Sequence, residues 1–268
     1  MSIARTKSLS FVIAGVLMGV AGSASADIVI TEIDPAGSGA NYGSDWFELT
    51  NTSTTTAVSI AGWSAVDNHA DNGSTISIGN LTKGNATFGP ALLTLANGQT
   101  SLAAGQSAIF LEGSASATSS AAAASIASFE SAWFGGKLPA GLSVGIYDDG
   151  TNYGLSQTAD EVNIFSGSTA NSSLVANVAF GADSGSPLAT FDNAAGLNNT
   201  TLTQKSVVGV NGAFLAATSG EIGSPGTIGA VPLPGTALLM LSGLGLFGAA
   251  AGRKKLKAPM VKAPLATV

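Results

Sequence analysis

The sequence predicts a mostly β domain, built of short strands joined by polar turns, with long loops and one short helix, and flanked by an apolar helix at each end. Three observations lead there. Short runs rich in Val, Ile, Leu, Phe and Trp are bounded by clusters of Gly, Asn, Asp and Ser, which is how strands and their turns are written. Few segments carry helical periodicity, and the 35 glycines among 268 residues suit turns better than helices. Two apolar stretches, Leu9–Val20 and Ala237–Gly252, lie near the ends, each beside basic residues.

Taken in order, Met1–Ala26 has the three parts of a secretory signal. Arg5 and Lys7 form the basic start, Leu9–Val20 the apolar middle, and Ala24-Ser25-Ala26 an A-x-A cleavage site, so the mature chain is expected to begin at Asp27. The apolar run is short for a membrane span of about 20 residues. Passage through the Sec export machinery follows from such a signal.

From Ile28 to Val66 the chain reads IVITEIDPAGSGANYGSDWFELTNTSTTTAVSIAGWSAV. Ile28–Ile33 is a first apolar run, broken by Asp34-Pro35 and by Gly37, Gly39 and Gly43. In Trp46–Thr50 the residues alternate, with Phe47 and Leu49 on one side and Trp46 and Glu48 on the other. Asn51-Thr52-Ser53 turns, Val58–Ile60 resumes, and Trp63–Val66 follows Gly62. The pattern gives strands with one face of each buried. The order I-x-E-I, then D-W-F-E-L-x-N, then V-x-I-x-G-W resembles the lamin-tail domain, which implies an immunoglobulin-like β-sandwich of the kind that bacteria carry on secreted and surface proteins. The resemblance also implies that Glu48 is structural, its carboxylate held by backbone N–H groups.

Thr75–Ile78 and Ala91–Leu95 are strand candidates, and Leu102–Gln106 leading into Ser107–Leu111 resembles the turn and apolar strand of lamin-tail domains. Ser114–Ser128 is Ala/Ser-rich. Ser competes with the helix-forming tendency of Ala, so a loop running into a short helix at about Ile126–Phe134 is expected, with Phe129, Trp133 and Phe134 facing the core. Leu142–Asp148, Asp160–Phe165 and Leu174–Phe180 read as strands, and Leu202–Val210 and Ala213–Leu215 as weaker ones. Gly223-Ser224-Pro225-Gly226 closes the domain and resembles the lamin-tail ending. The organisation expected is therefore signal 1–26, sandwich 27–226, linker 227–230, a C-terminal signal 231–257 and a tail 258–268. Asp67–Gly105 and Gly113–Gly141 are longer than the family usually needs.

The C-terminal segment has three features in sequence. Val231-Pro232-Leu233-Pro234-Gly235-Thr236 comes first, then the uncharged ALLMLSGLGLFGAAAG of Ala237–Gly252, then a basic cluster with Arg253, Lys254, Lys255 and Lys257. The uncharged stretch Val231–Gly252 is long enough for one membrane span, and the basic cluster after it should stay cytoplasmic, leaving the domain outside. The trio resembles the PEP-CTERM sorting signal in a Val-Pro-Leu-Pro variant, with Leu233 where the family has Glu. That resemblance implies an exosortase as partner, in a Gram-negative bacterium that makes exopolysaccharide.

Charge and composition narrow the chemistry. All 16 acids and only three bases, Lys83, Lys137 and Lys205, lie between Asp27 and Gly226, a net charge of −13. Such a segment repels phosphate backbones, so no nucleic-acid partner is expected. No cysteine and one histidine, His69, exclude disulfides, thiolate sites and two-histidine metal sites. Gly141–Gly145 spells G-x-S-x-G, but a β-like run follows the Ser where a nucleophile elbow needs a helix. Gly37-Ser38-Gly39 leads into a strand and offers no helix N-terminus for phosphate. Glu32, Asp45 and Glu48 are the candidate acid–base carboxylates. Asp67, Asp71, Asp148, Asp149 and Asp160 offer calcium loop oxygens, yet no spacing matches a calcium-binding motif, and Asp is common in turns without metal. No catalytic, cofactor or metal residues are therefore assigned. The reading is an exported, non-catalytic structural or adhesive module of the cell surface or extracellular matrix. The alternatives are a carbohydrate-binding module of the exopolysaccharide matrix, which would expose Trp133, Tyr147 and Tyr153 on one surface, or a secreted hydrolase.

Overall fold

The computed structural model describes residues 28–37, 41–67, 91–113, 117–148, 154–168, 172–183, 185 and 188–227. The elements are β1 (Ile28–Asp34), β2 (Trp46–Asn51), β3 (Val58–Ser59), β4 (Ser64–Asp67), β5 (Ala91–Leu95), β6 (Ser101–Leu102), β7 (Ser107–Gly113) and α1 (Ser120–Phe134). They continue with β8 (Leu142–Asp148), β9 (Asp160–Phe165), β10 (Leu174–Phe180), β11 (Phe191–Asp192), β12 (Thr201–Leu202), β13 (Phe214–Leu215) and β14 (Ile222–Gly223). Ten strands form one sheet in the order β11-β1-β2-β7-β8-β5-β4-β9-β10-β12, while β13-β14 and β3-β6 pair separately.

The sheet doubles over. Ile30, Phe47 and Phe110 from one half of the strand order share a buried cluster with Leu93, Ile164 and Val178 from the other. Two facing layers with a common interior follow, the mostly β arrangement that the alternation predicts. Phe47 and Leu49 point into this interior together with Ala108 and Phe110 of β7. Leu49 is fully buried, and Leu49→Ala should cost about 2–5 kcal/mol. Chemical denaturation measures it, and a loss below about 1 kcal/mol would contradict the register of β2.

The expectation of one buried face per strand fails at the centre of the sheet. Every residue of β1 and β2 is buried. Trp46, Ile109, Leu111, Val144 and Ile146, on the outer face of β2, β7 and β8, form a second apolar cluster with α1. The helix is where topology requires it. β7 and β8 pair in parallel, with Ser107 opposite Leu142 and Gly113 opposite Asp148. Parallel neighbours need a crossover connection, and α1 supplies it.

The helix begins at Ser120, earlier than the expected Ile126. Ser119 caps it, its Oγ accepting the Ala122 N–H at 3.1 Å, and Ala121–Ala124 then favour helix over the competing serine hydroxyls. Gly135, at φ 66°, ends it. Ala122, Ile126, Phe129 and Trp133 form its buried stripe, and Phe134 packs beside them.

Two further expectations change. Only Thr201–Leu202 and Phe214–Leu215 pair as strands, and Val207–Val210 forms an exposed turn instead. Thr75–Ile78 lies outside the described residues, as do both expected membrane-directed helices. Among the described residues no helix is long and apolar enough to cross a membrane.

Candidate functional site

A bulge in β1 creates the most concentrated chemistry in the fold. Ile30 pairs with Leu49, but the next paired residue, Glu32, pairs with Glu48, leaving Thr31 as the extra residue. The register shift sets two carboxylates across from each other beneath the surface, each 1 % exposed. Glu32 Oε1 accepts from the Ser224 N–H at 2.6 Å and from the Thr190 hydroxyl. Glu48 Oε2 accepts from the Gly226 N–H at 2.9 Å, and its Oε1 accepts from Thr50 Oγ1 at 3.3 Å. Thr50 Oγ1 is bonded in turn to Thr31 Oγ1 and Ser107 Oγ. The pair thus clasps Ser224–Gly226, the last turn before the C-terminal segment. Gly223 is required there, since a Cβ would stand 2.7 Å from Glu32 Oε1 and 2.8 Å from Trp133 Cη2.

A second buried network adjoins the clasp. The Tyr42 hydroxyl accepts from the indole N–H of Trp46 at 3.1 Å and of Trp133 at 3.2 Å. It donates to Glu221 Oε1 at 2.8 Å, with Asp34 Oδ2 at 3.3 Å. Lys205 is the nearby cation. Its Nζ lies 2.7 Å from Asp183 Oδ2, donates to the Ala189 carbonyl at 2.9 Å and stands 3.5 Å from the centroid of the Phe191 ring.

Burial dominates the electrostatics. It pushes Asp34 up to about 7, helped by the Glu221 charge, and Glu48 up to about 7 against the hydrogen bonds it accepts. Asp45 goes to about 8, first by burial and then by Glu112. Burial and Glu48 likewise raise Glu32 well above the ordinary carboxylate range. A carboxyl raised on folding keeps its proton after the unfolded chain has lost it. From about pH 4 to pH 8 the folded state therefore binds more protons, and stability falls as pH rises through that window. The expected result is a higher Tm at pH 5 than at pH 8, with a flatter profile in Glu48→Gln. A Tm that rises toward pH 8 would refute the assignment.

The structure sorts the sequence candidates. It brings Glu32 and Glu48 together but sets Asp45 apart, its backbone carbonyl accepting the Glu112 N–H at 2.8 Å. Glu48 is buried and accepts from a backbone N–H, the placement that the lamin-tail resemblance implies. Ser143 sits inside β8, hydrogen-bonded to Gln99 and to Gln106, so the G-x-S-x-G spelling forms no elbow. Asp67 and Asp148 end strands rather than sitting in loops, and Asp160 opens β9 with its carboxylate on the N–H groups of Ser156 and Glu161. Among the described residues no group of acids and histidine is placed to hold a metal ion. Trp46, Trp63, Trp133 and Tyr147 are all buried. Tyr153, His69, Asp71, Asp149, Ala24, Ala26, Val231–Thr236 and the basic cluster at Arg253 lie outside the described residues.

Sequence reasoning missed Tyr42, Thr190 and Glu221. Tyr42 to Glu221 spans 179 residues, and no local pattern marks such a contact. A Tyr in a glycine-rich loop, followed closely by a Trp, is the one local hint.

The doubled sheet and the clasp on Ser224 and Gly226 define a mostly β domain. A family model for the Lamin Tail Domain matches residues 21–206, and the protein belongs to that family. A second model, the PEP-CTERM protein-sorting motif, matches residues 230–255. That motif implies export and recognition by an exosortase in a Gram-negative bacterium. No curated protein and no solved structure gives a match.

Proposed function

We propose that this protein is a non-catalytic structural or adhesive module of the cell surface or extracellular matrix, released from a transient inner-membrane anchor by an exosortase. In this reading the Sec machinery exports the chain and cleavage after Ala26 frees Asp27. The domain 27–226 is then held by the span within 231–257 until processing at or near Val231–Thr236. The observation that carries the reading is the succession of a Lamin Tail Domain and a PEP-CTERM motif along one chain. The burial of the acidic groups supports a non-catalytic role, because the carboxylates that could act as acid and base are committed to backbone N–H groups. Burial of Trp133 and Tyr147 removes two of the three aromatics that a carbohydrate-binding platform would have used. Exopolysaccharide remains the surrounding medium rather than a ligand gripped by stacked rings.

The test is to fractionate a native host and sequence both ends of the mature protein by mass spectrometry. The expected product begins at Asp27, lacks Arg253–Lys257 and lies outside the cell. A product that stays in the inner membrane with its basic cluster would overturn the reading.

A further inference from the structure

Seven large apolar residues are exposed among the described residues, and four of them, Val207, Val208, Val210 and Leu215, fall within nine positions of the chain. Their exposures run from 50 to 59 %. Four exposed aliphatic side chains this close along the chain suit a surface that is covered in use.

Three backbone hydrogen bonds close the turn beneath these residues. The Val210 N–H donates to the Val207 carbonyl at 2.9 Å, the Ala213 N–H to the Val210 carbonyl at 2.8 Å, and the Gly209 N–H to the Ala213 carbonyl at 2.8 Å. Ser206–Leu215 contains no charged residue. Lys205 beside it is neutralised by Asp183, and the Asp192 carboxylate accepts from Asn211 Nδ2 at 2.7 Å. The loop therefore offers lipid aliphatic side chains rather than charge.

The chain leaves the fold at the same place. Thr227 packs directly over Gly212, where a Cβ would overlap its Cγ2. Glu32 and Glu48 hold the three residues before it. From Thr227 to Ala237, where the apolar span begins, is ten residues, at most about 35 Å of chain.

We propose that the Val207–Val210 loop and Leu215 form a bilayer-docking surface, seated on the lipid of the membrane that holds the C-terminal segment. This rests on the reading that the segment is anchored before processing. The tether holds the loop within reach of the lipid surface, and burial of its aliphatic side chains in the interface fixes how the domain stands over the bilayer.

The absence of native cysteine allows a direct test. Val210→Cys and Val208→Cys, each carrying an NBD fluorophore, are made in the full chain and reconstituted into vesicles of phosphatidylethanolamine and phosphatidylglycerol. Leu174→Cys is the control. Leu174 is an exposed aliphatic at the far end of β10 from Phe180, which pairs with Leu202, roughly 20 Å away along the strand. Doxyl-labelled lipid should quench both valine positions several-fold more strongly than position 174. Protein that floats with the vesicles but is unquenched at 208 and 210 overturns the docking surface while leaving the anchor intact. Protein that does not float overturns the anchor and the docking surface with it. A spectral shift that grows with protein concentration in the absence of lipid would assign the surface to a second copy of the chain, and overturn the lipid assignment.

Discussion

Trp46→Ala should destabilise the domain by about 3–5 kcal/mol, the range for truncating a fully buried aromatic. Its ring is wedged edge-to-face against Phe129 and Trp133 of α1, with centroids 5.7 Å from each. Removing it opens a cavity between β2 and the helix, and the helix has few other ways to hold on. Its exposed face carries small Ala and Ser side chains, so stability comes from the stripe that meets Trp46. The substitution also deletes a donor to the Tyr42 hydroxyl. Tyr42 then faces Glu221 and Asp34 with Trp133 as its indole donor, in surroundings where burial already opposes charge. Trp46→Phe separates the two effects. It restores most of the volume but not the N–H, and should cost about 1 kcal/mol beyond the residual void. Denaturation curves give both values. Hydrogen exchange should show the α1 amides losing protection in the alanine variant before those of β9 and β10. A cost below about 1 kcal/mol for Trp46→Ala would mean that the helix is anchored elsewhere.

The long strands were legible because their information is local. Phe47 and Leu49 alternate with Trp46 and Glu48, and the period of two assigns their faces correctly. What the alternation could not tell is that both faces are covered. A bulky Trp46 reads as core, as it proves to be, but the cover over that face comes from the crossover that the parallel β7–β8 pair requires, which brings α1 onto it. Serine and alanine carry opposed preferences across Ser114–Ser128, and the Ser119 cap decides between them by starting the helix at Ser120. Val207, Val208 and Val210 mislead in the other direction. Their β-branched composition suggests a strand, but Gly209 and Gly212, with φ of 83° at both, turn the chain too tightly to pair.

The clasp was half legible. The resemblance to lamin-tail domains implied that Glu48 is held by backbone N–H groups, and Gly226 supplies one. Glu32 as its partner depends on the bulge at Thr31, which no composition announces. The same is true of Tyr42 and Glu221, whose contact is set by tertiary closure. Buried polar groups of this sort are recognised in three dimensions, by the absence of water, rather than in sequence.

Replacing Pro232 and Pro234 with alanine should abolish C-terminal maturation without affecting membrane insertion. The motivating order is Val231–Thr236, then the apolar Ala237–Gly252, then Arg253–Lys257, within the matched PEP-CTERM motif. Insertion depends on the apolar residues and orientation on the basic cluster. Neither uses the prolines. A processing enzyme, by contrast, must reach peptide bonds, and a continuous helix hides them in its own hydrogen bonds. Proline removes a donor, fixes φ and biases the residue before it toward an extended conformation. Two prolines separated by Leu233 therefore keep the helix from extending outward from the span. Alanine, the strongest helix former, would let it do so. The folded domain sharpens the requirement, because the clasp at Glu32 and Glu48 holds Gly226, six residues before Pro232. The double variant should accumulate in the inner membrane as a precursor that retains Arg253–Lys257, visible as a shift in intact mass. The unaltered protein should do the same in a host without an exosortase, and co-expression of the enzyme should restore maturation of that protein but not of the variant. Normal maturation of the double alanine variant would reduce Val231–Thr236 to a spacer, and the C-terminal segment to a plain anchor.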